Sequence, residues 1–256
     1  MRKYYMLIFI FIVLAAGCSQ DNTKEVELNI SAAASMTDSL TELTEMFEEE
    51  HPHIDISYNY GGSGSLRKQI EQGAPIDIFL SASSIDYEKL VAKDKVDEGK
   101  EILANQLVFI QKNEGEVASM EDFMTGDKVM AVGTPEAVPA GSYAKEALQT
   151  LGLWNELEDQ GRLVYTKDVT QVLMLVKEGA ADVGMVYASD VIDEKDVMVI
   201  ENVDSDLHSS IHYYAASIPH EEQDADVLQA KDAFYQFISS KTAEDVFEKY
   251  DFQPVE

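Results

Sequence analysis

The sequence predicts an α/β protein in which mostly parallel strands alternate with flanking helices. Short apolar runs rich in β-branched residues are followed by segments with helical periodicity, and this alternation is typical of βαβ units. The first strands each end in small or hydroxyl-bearing residues that open the next helix. At 256 residues the chain is long enough for one large domain or two lobes, and an apolar share of 45% with 26% charged residues indicates a soluble globular core.

The first strand, turn and helix start lie around Ser35. An apolar run through Ile30 is followed by three alanines at 32–34, and helical periodicity begins directly after Ser35. The small side chains would let a small molecule approach the backbone, and the Ser35 hydroxyl would stand beside unpaired N–H groups of the helix start. Because Asp38 follows three residues later, Ser35 also fits a capping box in which its hydroxyl only closes the helix. Both interpretations are open at this point.

Two more units of the same kind follow. The predicted elements are a helix over 36–50, strands over 54–60 and 76–80, and helices that begin after 61–65 and 81–84. Backbone N–H groups of a glycine-rich loop such as 61–65 can converge on an anion, although glycine is also common at ordinary turns. As a repeat of the Ser35 arrangement, this loop draws attention to Ser63. Ligands of open α/β folds bind at the carboxyl ends of the strands, where these loops would meet.

The chain is expected to cross into a second lobe at a strand over residues 106–111. The predicted elements after it are a short helix near 120–124, strands over 128–133, 163–165 and 182–187, and helices that begin after 134–144 and 166–170. Pro139 suits a rigid loop just ahead of a helix start, and Ala140 and Gly141 then present bare backbone there. Tyr187 stands at the carboxyl end of its strand, where the phenol could point into a cleft or simply be half-buried.

The remaining chain is predicted to return to the first lobe. The predicted elements are a strand at 198–200, a second crossing within 203–210, a strand over 212–218, and helices near 225–239 and 243–250. This organisation assigns residues 26–104 and 206–256 to lobe 1 and residues 105–205 to lobe 2. His208 and His212 are four residues apart, but an extended chain would hold them too far apart for a shared metal ion, so no cation site is expected.

The first residues have the features of a secretory signal. Arg2 and Lys3 precede an apolar run that is too short to span a membrane comfortably. Cys18 ends the order L-A-A-G-C, which resembles the bacterial lipobox, where a peptidase cuts before the cysteine and the thiol carries lipid. Residues 1–17 are therefore predicted to be a signal peptide, and residues 18–25 a lipidated tether. We expect the mature protein to lie outside the cytoplasmic membrane, held by that lipid.

The chain is strongly acidic. It carries 19 Lys and Arg residues against 48 Asp and Glu residues, a formal charge of −29, and removal of Arg2 and Lys3 with the signal would make this about −31. Such a surface repels nucleic acid and anionic lipid, so neither is an expected partner. Membrane contact is therefore expected through the lipid anchor only.

Five segments together carry a family resemblance. They are N-I-S-A-A-A-S-M-T-D-S-L from residue 29, Y-G-G-S-G-S-L-R-K-Q-I-E-Q-G-A-P-I-D-I-F-L-S-A from residue 60, V-G-T-P-E-A-V-P-A-G-S-Y-A-K-E-A-L from residue 132, K-D-V-T-Q-V-L from residue 167 and V-G-M-V-Y-A-S-D from residue 183. The third segment, combined with the alanines of the first, is the most specific part. In this order they resemble the substrate-binding component of the molybdate ABC transporter, over nearly all of the mature chain.

The resemblance implies a two-lobed type II periplasmic-binding-protein fold that closes on one tetrahedral oxyanion. The anion would be molybdate, with tungstate as a second ligand, and the partners would be an ABC permease and its ATPase subunit. The family's neutral donors fall on five positions of this chain, namely Ser35, Ser63, Ala140, Val169 and Tyr187. Glycines replace serines of some relatives in the second loop, so the number of hydroxyl donors there is left open. No cofactor is implied, and a monomer is expected.

The charged residues near these loops agree with neutral donors. Arg67, Lys68 and Lys145 fall within helix starts and are expected to face solvent rather than the anion. An anion buried without a countercharge needs several hydrogen bonds, each of which contributes about 1.5–3 kcal/mol. No carboxylate is expected among the loop donors, although Asp38 and Asp168 are close enough in sequence to leave that point open.

Other functions are less favoured by the sequence. A hydrolase would need a base or metal near Ser35 or Ser63, yet neither loop contains histidine, and Gly62-Ser63-Gly64 does not have the spacing of a nucleophile elbow. No enzyme is therefore expected. A sensor of the same fold would normally be fused to another module. Within the transport class, the alternative is a binding protein for sulfate, thiosulfate or another tetrahedral oxyanion.

Overall fold

The computed structural model of the protein describes residues 24–220 and 224–255. The predicted signal peptide over 1–17, Cys18 and most of the predicted tether lie outside the described residues. Among the residues that are described, none of the helices is long and apolar enough to cross a membrane.

The described chain alternates between strands and helices. The strands are β1 (Val26–Ala33), β2 (Ile54–Gly61), β3 (Ile78–Ser81), β4 (Glu98–Ala104), β5 (Leu107–Lys112), β6 (Met130–Gly133), β7 (Leu163–Thr166), β8 (Val183–Tyr187), β9 (Val197–Asn202), β10 (His212–Ser217) and β11 (Gln253–Pro254). The α-helices are α1 (Thr37–Glu50), α2 (Ser63–Glu71), α3 (Ser84–Val91), α4 (Met120–Thr125), α5 (Pro139–Thr150), α6 (Trp154–Asp159), α7 (Val169–Glu178), α8 (Ala225–Phe237) and α9 (Lys241–Lys249). Three short 3₁₀ turns lie at Ala34–Met36, Ala188–Val191 and Ser205–Leu207.

The first lobe is built on a six-stranded sheet with the order β11-β4-β10-β3-β1-β2. Strand β1 is parallel to both of its neighbours, whereas β10 is antiparallel to β3 and β4. Leu28 and Ile30 of β1, which lie on the same face of the strand, are fully buried, as expected for an inner strand covered by helices. On one face, Phe47 of α1 packs edge-on against Phe234 of α8, with 5.1 Å between the ring centroids.

The second lobe is built on a five-stranded sheet with the order β7-β6-β8-β5-β9. Strand β6 is parallel to β7 and β8, and β5 is antiparallel to β8 and β9. Gly184 of β8 lets α7 approach the sheet closely, because a Cβ there would lie 2.8 Å from Val172 and 3.0 Å from Val176. Trp154 is only 3% exposed, so it belongs to the core of this lobe.

The chain passes between the lobes twice, and the two crossings lie side by side. The first crossing joins β4 to β5 and the second joins β9 to β10. The Asn105 N–H of the first donates to the Ile211 carbonyl oxygen of the second, at 3.1 Å. The predicted fold class, two lobes with mixed sheets flanked by helices, is confirmed, although the sheets are not mostly parallel as expected, since antiparallel pairs are at least as numerous as parallel pairs in each. The division of the chain after residues 104 and 205 stays a prediction.

The antiparallel pairs and three elements, β4, α6 and β11, could not be recognised in the sequence. Strands β5 and β10 are reached by the crossings rather than through βαβ units, so their direction does not follow from the alternation of strands and helices. Strand β4 was not predicted because Glu98, Lys100 and Glu101 interrupt any apolar run. Helix α6, which has six residues and buries Trp154 and Leu157, was not predicted.

Candidate ligand-binding site

A small cavity lies where loops from the two lobes meet, and its empty volume is about 200 Å³. The first lobe contributes residues 33–35 and 61–63 together with Ala82, and the second contributes 138–140, Val169 and Tyr187. The cavity is therefore shared by both lobes, and it can change in size when the lobes move relative to each other.

All five residues singled out from the sequence line this one cavity. They are Ser35, Ser63, Ala140, Val169 and Tyr187. The common location follows from topology, because β1, β2 and β3 run parallel in one lobe, β6, β7 and β8 run parallel in the other, and the loops after their carboxyl ends meet at the cleft. That these five residues bind a ligand stays a prediction.

Three helices begin at the cavity wall. Ser63 is the first residue of α2, Ala140 is the second residue of α5 and Val169 is the first residue of α7. The first N–H groups of a helix have no acceptor within the helix, and the helix dipole makes this end electropositive. Pro139 is the first residue of α5, a position where its missing N–H costs no hydrogen bond of the helix. The Asp168 side chain caps α7 by accepting from the Gln171 N–H at 2.9 Å. The arrangement offers backbone N–H groups to an anion.

Ser35 does not cap helix α1. It lies in the 3₁₀ turn Ala34–Met36, and α1 begins only at Thr37, with Met36 at the N-cap position and no side-chain cap. The capping-box interpretation of Ser35 and Asp38 is therefore wrong, because the extra turn moves the helix start past the serine. The Ser35 hydroxyl oxygen instead lies 2.8 Å from the Tyr213 hydroxyl oxygen.

Two further hydroxyl groups are available to a ligand. Tyr187 is 1% exposed, and its hydroxyl has no hydrogen-bond partner within the described part of the chain. Burial raises the pKa of this phenol well above its ordinary value of 10.0, so the hydroxyl keeps its proton. The fully buried Ser63 hydroxyl oxygen accepts from the Ala82 N–H at 3.0 Å, which leaves its own proton to donate elsewhere.

The cavity lining has no charged residue. Arg67 is buried, which corrects the expectation that it faces solvent, but its guanidinium is paired with Asp86 at 2.8 Å and with Glu71 rather than with the cavity. Lys68 is exposed as expected, and the Lys145 ammonium lies over the ring of Trp154, 5.3 Å from its centroid.

The two acidic residues that the sequence left open also stay outside the lining. Asp38 is exposed on α1, and Asp168 caps α7. The cavity therefore presents donors and apolar surface, with no carboxylate that could accept a proton from a ligand.

The lobes touch at the mouth of the cavity through two glycines that the sequence had marked as unusual. The Gly64 N–H of α2 donates to the Ala137 carbonyl oxygen across the cleft, at 3.1 Å. A Cβ on Gly62 would overlap the same carbonyl oxygen and would lie 3.1 Å from the Lys167 oxygen. The structure is thus a closed one, and its closure depends on the missing side chain at residue 62.

Possible cation ligands occur throughout the part of the chain that the structure describes. The described residues contain no group of three or more His, Cys, Asp or Glu side chains that could hold a metal ion. Of the two histidines that the sequence pointed to, His212 has its Nδ1 2.7 Å from Glu101 Oε1, and His208 has its Nδ1 2.8 Å from the Ser209 carbonyl oxygen.

The sequence did not point to Tyr213 and Asn105, whose hydroxyl and amide groups lie behind Ser35. Nothing local marks Tyr213, because its partner Ser35 is 178 residues away along the chain. The prediction of a returning strand over 212–218 was the only signal that this residue would reach the first lobe.

Comparisons with known proteins agree with this architecture. A profile of the bacterial extracellular solute-binding protein family matches residues 28–253. YvgL of Bacillus subtilis (strain 168), named as an ABC transporter substrate-binding lipoprotein, is 39% identical over 264 residues that cover 98% of each chain. The molybdate-binding protein ModA of Escherichia coli (strain K12) is 33% identical over 240 residues, or 89% of each chain.

A solved structure shows the same fold. The periplasmic molybdate-binding protein of Azotobacter vinelandii superposes with a TM-score of 0.78, covers 90% of this chain and 100% of its own, and is 20% identical. The family consists of solute-binding proteins rather than enzymes, which confirms that no catalytic activity is to be expected. The chain therefore belongs to the bacterial extracellular solute-binding protein family and is a substrate-binding protein of the ABC-transporter type.

Proposed function

We propose that this protein binds molybdate, and tungstate through the same contacts, and delivers the anion to an ABC permease with its ATPase subunit. The observation that carries the proposal is a cavity lined only by neutral residues at three helix N-termini and three hydroxyl groups. The proposed ligands are the hydroxyls of Ser35, Ser63 and Tyr187 and the backbone N–H groups at Ala140 and Val169. Relatives named as molybdate-binding proteins support the choice of anion.

The energetics of such a site are favourable. A hydrogen bond to a charged group contributes about 1.5–3 kcal/mol, so five bonds would contribute roughly 7–15 kcal/mol against the cost of dehydrating the dianion. The dipoles of α2, α5 and α7 add a positive electrostatic potential, which attracts an anion. A buried lysine or arginine is not required, which fits the pairing of Arg67 with carboxylates outside the cavity.

Two features would set the selectivity. Molybdate, tungstate and sulfate share shape and charge, so the size of the cavity has to discriminate among them. Phosphate carries a proton at neutral pH, and a site without a carboxylate offers that proton no charged acceptor. A binding protein for sulfate or thiosulfate is therefore the second candidate, since the same neutral donors would suit those anions.

The family supports the location of the protein, and the N-terminal sequence supports a proposal for its anchor. The family is extracytoplasmic. We propose in addition that residues 1–17 are removed, that Cys18 carries a lipid, and that residues 18–25 tether a monomeric two-lobed protein to the cell membrane. The proposed lobes comprise residues 26–104 with 206–256, and residues 105–205.

Calorimetric titration of the purified protein with molybdate, tungstate, sulfate and phosphate tests the proposal. We expect tight one-to-one binding of molybdate and tungstate, much weaker binding of sulfate and negligible binding of phosphate. Tighter binding of sulfate than of molybdate would establish the second candidate. A protein that bound none of the four anions would refute the proposed function.

A further inference from the structure

The Ser35 hydroxyl belongs to a largely buried hydrogen-bond chain that reaches the first crossing between the lobes. Its oxygen lies 2.8 Å from the hydroxyl oxygen of Tyr213, a fully buried residue of β10. The Tyr213 hydroxyl lies 3.3 Å from the side-chain amide nitrogen of Asn105, which is in the first crossing between the lobes. The ring of Tyr213 is held by edge-on packing against Tyr187 and Phe252, with centroids at 5.9 and 5.2 Å.

The direction of these hydrogen bonds is set by a backbone group. The Gln106 N–H, which can only donate, lies 2.8 Å from the Asn105 side-chain oxygen. That contact assigns the oxygen and the nitrogen of the Asn105 amide, so the nitrogen must donate. Its two acceptors are the Ser189 hydroxyl oxygen at 2.8 Å and the Tyr213 hydroxyl oxygen at 3.3 Å.

The Tyr213 hydroxyl proton consequently has a single acceptor. Within the described part of the chain, the partners of the Tyr213 hydroxyl are Asn105, which donates to it, and Ser35. Burial raises the pKa of this phenol well above its ordinary value, so the proton is retained. The Tyr213 hydroxyl therefore donates to the Ser35 oxygen, and the Ser35 proton is left to point at the cavity.

We propose that Tyr213 is a specificity-determining positioning residue, which holds Ser35 as a hydrogen-bond donor and thereby favours fully deprotonated dianions over protonated oxyanions. An O–H group on a ligand has to compete with the Tyr213 proton for the Ser35 oxygen. The Ala82 N–H likewise donates to the Ser63 hydroxyl oxygen, at 3.0 Å, so the Ser63 proton is also free to be donated to a ligand. The inference rests on the proposed function, because it concerns the selectivity of the same site.

A double-mutant cycle tests whether Tyr213 acts through Ser35. We expect Tyr213→Phe to weaken molybdate binding about tenfold in the wild-type background, the usual effect of one hydrogen bond near a charged group. In the Ser35→Ala background the same change is expected to have no effect on the dissociation constant. Equal losses in both backgrounds would show a merely structural role and overturn the inference, as would wild-type affinity in the single variant.

Selectivity provides a second readout. Competition of millimolar phosphate against molybdate should show that Tyr213→Phe lowers the ratio of the phosphate to the molybdate dissociation constant about tenfold. Tyr214→Phe is the matched control, because the Tyr214 hydroxyl bonds to Glu101 at 3.3 Å rather than to Ser35, and its ring stacks on Tyr87 with 4.6 Å between the centroids. An unchanged ratio in Tyr213→Phe contradicts the inference.

The wild-type titrations separate this inference from the proposed function. A wild-type protein that preferred sulfate to molybdate would refute molybdate as the ligand, and the sulfate-to-phosphate ratio would then test Tyr213 in the same way. A wild-type protein that preferred phosphate would overturn both.

Discussion

Replacement of Gly62 by alanine should keep the two lobes from closing. The added methyl group would overlap the Ala137 carbonyl oxygen and lie 3.1 Å from both the Lys167 oxygen and the Val138 Cγ2 atom. Two of these three atoms are backbone atoms of the opposite lobe, which cannot rotate away as a flexible side chain could. Ordinary contacts between carbon and oxygen are about 3.3–3.6 Å, so the lobes must separate by roughly 1 Å at this point.

The size of the effect follows from the donors that the separation would move. A shift of roughly 1 Å takes a normal hydrogen bond beyond its working range. Loss of the two proposed backbone bonds from the second lobe, at Ala140 and Val169, would alone cost about 3–6 kcal/mol, before any loss at Tyr187. The dissociation constant for molybdate should therefore rise by at least roughly a hundredfold to ten-thousandfold.

Calorimetry and ligand-induced shifts in melting temperature measure this effect. Gly64→Ala provides a graded variant, because its Cβ would lie 3.0 Å from the Glu136 oxygen and needs a smaller shift, so we expect a loss of only several-fold. Gly126→Ala is the control, since its Cβ would meet nothing closer than 3.9 Å and the residue lies outside the cavity. Wild-type affinity in Gly62→Ala, with the fold intact by circular dichroism, would refute the reasoning.

Three further predictions follow from the charges and the N-terminus. Burial raises the pKa of Asp190 to about 7 from its ordinary 3.8. The stability that the neutral carboxyl contributes is therefore fully present below pH 3.8 and is lost as the pH rises through about 7. The variant Asp190→Asn, whose amide oxygen can still accept from the Tyr187 N–H, should raise the melting temperature at pH 8.5 and have little effect on it at pH 4. If the variant had a higher melting temperature than the wild type at pH 4 and not at pH 8.5, the predicted direction of the pH dependence would be wrong. Because the mature charge is near −31, stopped-flow association of molybdate should quicken as salt rises toward 0.15 M, whereas a steep fall would indicate a basic entrance. Cys18→Ala should move the protein from the membrane fraction to the soluble fraction, and continued membrane association would rule out a lipid as the sole anchor.

Local sequence was sufficient to predict most of the fold and the positions around the cavity. Ser63 could be recognised because it follows a predicted strand and lies at a predicted helix start, whereas Val169 was implied only by the family resemblance. Tyr187 could be recognised because a continuous apolar run ends at it. These signals are short in range, so no knowledge of the opposite lobe was needed to select them.

The sequence did not predict the surroundings of those positions correctly. Arg67 was expected to face solvent, yet it is buried, and its guanidinium is paired with the carboxylates of Asp86 and Glu71. Ser35 was compatible with a helix cap, yet a 3₁₀ turn carries it past the helix start. Both differences arise because the choice between solvent and an ion pair, or between two kinds of turn, depends on neighbours that local periodicity does not encode.

By itself the sequence determined the alternation of strands and helices, the acidic surface and the family to which the chain belongs. Only the tertiary structure decided that Tyr213 lies behind Ser35 and that Gly62 faces the Ala137 carbonyl oxygen. The physical reason is that hydrogen-bond direction and close packing arise between groups far apart along the chain. A local pattern reports the conformation of a segment, whereas the partners of its side chains exist only once the lobes have formed.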